Sequence, residues 1–140
     1  MARVSVEELI DRAEAVLRPT LVGDRWFGDV AAAIETETGA VHVGVCIDTG
    51  ATGWCAEQAA GASMITAGET RVRRIVAVWR DSRIGPDSPL FVVPPCGVCR
   101  RFLVDIDPAN ADAEIVLSAT ETAPLSDLLP LHGWQARPAR

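Results

Sequence analysis

The chain contains no lysine. Its 13 basic residues are all arginine, set against 19 Asp and Glu, for a formal charge of −6 over 140 residues. Without a basic surface, binding along a phosphate backbone has no electrostatic footing, so a nucleic-acid polymer is not an expected partner. No apolar run approaches the ~20 residues of a membrane span, so no membrane partner is expected. The opening MARVSVEELIDRAE puts acidic residues where a secretion signal carries its apolar segment, which predicts a cytoplasmic location. No repeat, linker or low-complexity stretch interrupts the chain. Its length suffices for one hydrophobic core and not two, which predicts one domain over 1–140 with a frayed tail from about residue 135. Cysteine is scarce, with four residues. Where thiols stay reduced, these are expected as ligands or catalytic groups rather than as a disulfide framework.

What is present is patterned. Ser5 and Glu8 form a capping box, and Leu9, Ile10, Ala13, Val16 and Leu17 recur at helical spacing, so a first helix is predicted up to Pro19. Asp29–Glu35 and Ala40–Ile47 read as a hairpin around Glu37-Thr38-Gly39. DTGATGW reads as a loop. Cys55–Gly68 reads as a buried helix with a glycine C-cap. Arg74–Trp79 reads as a strand covered on both faces, Leu90–Val93 as a short strand, and Cys96–Ile106 as a helix. Glu114–Leu117 is a last strand, and Ser126–Leu131 a helical turn. Helices following strands predict a three-layer α/β/α sandwich around one mixed sheet.

Two short segments carry the chemistry: Cys55-Ala56-Glu57, and Pro95-Cys96-Gly97-Val98-Cys99. Each lies where a loop enters a helix, and the unpaired N–H groups there favour thiolate over thiol. Two such entries facing each other can place Cys55, Cys96 and Cys99 around one Zn²⁺, leaving a fourth position open for water. Glu57, in the first turn, can then reach that water as a proton shuttle. Three thiolates on Zn²⁺ leave an excess negative charge, which Arg100, directly after Cys99, is placed to relieve by donating to sulfur.

C-A-E followed by P-C-x-x-C resembles the cytidine deaminase superfamily, whose zinc-deaminase signature keeps a non-ligating Glu as acid/base. With Cys55 as first ligand the likeness is to the three-cysteine, free-nucleoside branch. It is greatest to blasticidin-S deaminases and related short cytidine deaminases. Supporting stretches are Val30-Ala31-Ala32-Ala33-Ile34, Gly44-Val45, Thr49-Gly50-Ala51-Thr52-Gly53, the run on to Arg100-Arg101-Phe102-Leu103, and Asp127-Leu128-Leu129-Pro130. The resemblance implies a five-stranded sheet between helices and one zinc per chain. It implies a homotetramer (or homodimer) in which neighbours complete the active sites. It also implies that Glu57 moves a proton from water to N3 of a cytosine ring and protonates the departing amine, with the backbone of Ala56 near the 2-oxo group.

The chain departs from the family where the ribose is held. Cys46 stands at the usual Asn, Asp48 at the usual Glu, and the usual aromatic appears only approximately as Trp26-Phe27. A thiol cannot replace an amide's donor and acceptor pair. Cytidine, a modified nucleoside and another aminated heterocycle of purine or pterin type are therefore all admissible substrates. Cys46, Asp48, Phe27, Trp54 and Trp134 are candidate pocket residues, the two tryptophans being equally suited to core or interface. Other readings stand beside this one. Cys96 and Cys99 alone would suit a redox pair. Cys46 as a fourth ligand would close the site to water. A zinc-binding protein on this fold can be catalytically silent. His42 is expected to point outward from its strand, and His132 is either solvated or pocket-facing.

Overall fold

The computed structural model describes residues 3–130 and 136–140. The first helix, α1 (Val6–Glu14), starts at the predicted box: Glu8 N–H donates to Ser5 Oγ at 3.0 Å, and Ser5 N–H donates to the Glu8 carboxylate at 3.1 Å. Leu9 and Ala13 are fully buried. Strands β1 (Thr20–Val22) and β2 (Arg25–Phe27) then form a small antiparallel hairpin. The predicted hairpin is β3 (Val30–Thr36) against β4 (Val41–Val45), with Ala31 opposite Val45. The stretch read as a loop is itself a tight hairpin, β5 (Ile47–Asp48) with β6 (Gly53–Trp54). It feeds α2 (Ala56–Thr66), which ends at the predicted glycine, Gly68, with a φ of 86° that L side chains disfavour.

Next come β7 (Val72–Arg80), β8 (Leu90–Val92) and α3 (Gly97–Ile106). A 3₁₀ helix (Pro108–Asp112), β9 (Glu114–Val116), β10 (Thr122–Pro124) and α4 (Leu125–Leu128) follow. Among the described residues the main sheet has six strands, in the order β10-β9-β7-β3-β4, with β8 also on β7. It is mixed, since β7 runs parallel to β9 and antiparallel to β3 and β8. The sixth strand beyond the expected five is β10. Its Pro124 disguises it in sequence, yet proline is tolerated at a sheet edge.

The sandwich follows from the alternation along β3. Ala31 and Ala33 face α1 together with Val76 and Val78. Ala32 and Ile34 face the other way, with Ala60 and Met64 of α2 and Leu103 of α3. Alanines at the sheet centre let helices approach closely on both sides. The closest approach is at Gly44 of β4. A Cβ there would overlap the backbone nitrogen of Ala60 and come within 2.6 Å of the carbonyl carbon of Ala59. Gly44→Ala is thus expected to destabilise the chain by about 1–3 kcal/mol, the range for overpacking. The readout is a lower urea midpoint at constant m-value. An unchanged midpoint would mean that α2 can shift without cost.

Buried Asn110 ties the second half together. Its amide donates to the carbonyls of Leu103 (3.0 Å) and Thr70 (2.9 Å) and accepts from Val72 N–H (2.8 Å). The end of α3 is thereby held against the start of β7. Residues 136–140 are exposed and carry no regular structure. No described helix is long and apolar enough to cross a membrane.

Candidate metal centre and cavity

Cys55 is the N-cap of α2, and Cys96 the N-cap of α3. Cys99 follows in the first turn of α3. The two helix entries face each other, and the ligand atoms of Cys55, Cys96 and Cys99 all lie within 4.8 Å of one another. Three converging sulfurs, with no histidine among them, form a donor set suited to a soft metal ion. The local scaffold explains the placement. Cys55 N–H donates to the Gln58 side chain at 3.1 Å, which completes the turn into α2. Gly61 of α2 packs against the Phe102 ring of α3, where a Cβ would come within 2.7 Å of a ring carbon. Sequence reasoning missed Gln58 as a partner, although a cap followed three residues later by Gln is the available signal.

The three thiols differ. Backbone N–H groups of Cys99 and then Val98 hold the Cys96 thiol below its ordinary range, as a helix N-terminus does. Burial pushes the Cys55 thiol up. Burial, and then the Glu57 carboxylate, push the Cys99 thiol far up. Cys99 is fully buried and donates its S–H to Glu57 Oε2 at 3.3 Å. Glu57 itself is only 6% exposed. A cation held by all three sulfurs would require the Cys99 thiol to give up its proton, since thiolates are the metal ligands.

The centre opens onto a cavity of about 600 Å³ that Cys55 and Cys96 line. Cys46, Asp48 and Trp54 line it as well. Ala56 and Glu57 are buried at the start of α2, in the first turn after Cys55. Phe27 is not among the described lining residues; its neighbour Trp26 is. Successive residues of a strand point to opposite faces, so one position decides which aromatic meets the cavity. Trp134 and His132 lie outside the described residues.

Arg100 does not reach the sulfurs. Its guanidinium donates to the carbonyls of Pro95 (2.8 Å) and Leu128 (2.9 Å), bracing the loop that leads into Cys96 against α4. Cys46 donates its S–H to Asp29 Oδ1 at 3.1 Å and stands apart from the three-cysteine cluster. His42 is turned inward rather than outward: its side chain is 13% exposed and pairs with Glu69 at 2.8 Å. Asp29, which sequence reasoning also missed, lines the same cavity.

Several known proteins resemble the chain. The blasticidin-S deaminase of Bacillus cereus is 39% identical over 83 residues, covering 56% of this chain and 58% of that protein. The chain therefore spans less than two thirds of the length of this relative. The crystal structure of cytidine deaminase from Burkholderia pseudomallei matches with a TM-score of 0.71 at 25% identity, covering 91% of this chain and 98% of that one. Cytidine deaminase from Mycobacterium tuberculosis matches with a TM-score of 0.72 at 24% identity, covering 91% and 96% respectively, which speaks to the fold. No family model matches the chain.

Proposed function

We propose that the chain is a member of the cytidine deaminase superfamily and acts as a zinc-dependent aminohydrolase. Its substrate is a small, free cytosine-type nucleoside or nucleoside analogue. The observation that carries this reading is buried Glu57 in contact with Cys99, one of three converging cysteines of which the other two, Cys55 and Cys96, line a cavity. Tetrahedral Zn²⁺ with Zn–S bonds of about 2.3 Å needs its sulfurs about 3.8 Å apart. Sulfurs already within 4.8 Å of one another meet that need with a small contraction.

Cys55, Cys96 and Cys99 would hold the zinc. When bound, the ion supplies the Lewis acidity that makes water a competent nucleophile near neutral pH. Glu57 accepts a proton from the attacking water and passes it to the ring nitrogen, then takes that water's second proton from the oxygen now on the ring and delivers it to the leaving amine. An ionised carboxylate is an acceptor only and a protonated one a donor, so one side chain serves both halves of the transfer. The backbone N–H of Ala56 belongs to the unpaired first turn of α2 and suits the 2-oxo group. The ring gains oxygen from water, and ammonia leaves.

The test is a screen for ammonia release from cytidine, deoxycytidine, blasticidin-type nucleosides, and aminated purines and pterins. Release from at least one cytosine nucleoside is expected. Release from purines or pterins alone, or from none, overturns the reading. The cavity mouth supports a homo-oligomer. Ile47, Trp54 and Val98 are 42%, 51% and 64% exposed around it, and a second copy would cover them. Light scattering is expected to show a tetramer or dimer; a monomer at working concentration contradicts this.

A further inference from the structure

Within the proposed deaminase reading, we infer that Asp29, rather than Cys46 or Asp48, is the residue that selects the substrate's sugar, by accepting a hydrogen bond from one of its hydroxyls.

The three side chains share the cavity, but their bonding differs. Asp48 is committed to its own hairpin. Its Oδ1 accepts Gly50 N–H at 2.9 Å and lies 3.5 Å from Arg25, and its side chain is 64% exposed. A solvated carboxylate gains little by exchanging water for a ligand hydroxyl. Cys46 has spent its one donor on Asp29. A thiol sulfur is a weak acceptor, so Cys46 offers the ligand little directly.

Asp29 is partly buried, and only one of its oxygens is engaged. Oδ1 takes the Cys46 thiol, while Oδ2 has no partner among the described residues. Its backbone is held from two sides. Arg80 N–H donates to its carbonyl at 3.2 Å, and the adjoining Cys46 N–H donates to Val30 O at 3.0 Å. Asp29 thus stands in the bend directly before β3, with its backbone tied to the central sheet. The Cys46 thiol restrains the carboxylate's rotation without neutralising it. That leaves one carboxylate oxygen, Oδ2, without a partner among the described residues on a side chain that lines the cavity, and hydrogen bonds to an ionised acceptor are the stronger kind. On this account Cys46 is a positioning residue.

The test is calorimetric titration of the zinc-loaded Glu57→Gln protein, which keeps the pocket and does not consume ligand. The probes are cytidine and its 2′-, 3′- and 5′-deoxy analogues. Adding Asp29→Ala is expected to weaken cytidine by about tenfold or more. That penalty should vanish for the one analogue that lacks the bonded hydroxyl. Asp29→Asn, which keeps a neutral acceptor, should lose less. An equal penalty on every nucleoside marks a structural role and overturns the inference, as does no penalty or no binding of any of them. If the Asp29 pattern appears while the chain with Glu57 intact releases no ammonia, the deaminase reading fails and the assignment of Asp29 stands.

Discussion

Glu57→Gln is expected to lower kcat on the best cytosine nucleoside by ~10²–10⁴-fold, the usual contribution of a positioned acid/base. Zinc content should stay at about one per chain. Gln keeps the size and shape of Glu at a site only 6% exposed, so the packing of α2 against the sheet is preserved. What it loses is the ability to take up and return a proton. In the metal-free chain the contact from Cys99 at 3.3 Å survives in form, because the amide oxygen still accepts. Ammonia release at the original rate would remove Glu57 from the reaction. A parallel loss of zinc would assign it to holding the metal site together instead.

Cys99→Ser is expected to abolish both zinc retention and ammonia release. Cys99 is the one fully buried member of the cluster, in the first turn of α3. Serine is close in size, which limits any cavity penalty and isolates the loss of the thiolate. A metal present at 100–1,000 times its Kd stabilises a fold by about 2.7–4.1 kcal/mol. Chelation should therefore lower the Tm of the parent chain and leave that of the variant unmoved. Cys46→Ser is the control: its sulfur bonds Asp29, outside the cluster, so zinc should remain. Zinc at about one per chain in Cys99→Ser, or its loss in Cys46→Ser, would redraw the ligand set.

The elements that were legible in sequence obey short-range rules. The box of Ser5 and Glu8, the turn before Gly39 and the glycine stop at Gly68 each involve residues within a few positions of one another. The hairpins at Thr20–Phe27 and Ile47–Trp54 were not legible. Strands of two or three residues, largely exposed, show no period and exist only through their pairing. Arg100 illustrates the same limit within the site. Adjacency to Cys99 suggested sulfur as its partner, but its guanidinium is hydrogen-bonded to the carbonyls of Pro95 and Leu128.

Sequence alone dictated where the two helices begin, and so which cysteines and which glutamate sit in their first turns, because capping and turn formation are local. It also pointed to the layer order, through helices following strands and through the unbroken apolar run of Arg74–Trp79, which marks a strand covered on both faces. The tertiary contacts dictated the rest. They set the convergence of Cys55 on Cys96 and Cys99, which lie 41 and 44 positions further along the chain. They turned Trp26 rather than Phe27 to the cavity, and they joined Cys46 to Asp29. Each of these depends on strand register or on how closely α2 and α3 can approach, and both are set by side-chain volume across the whole core.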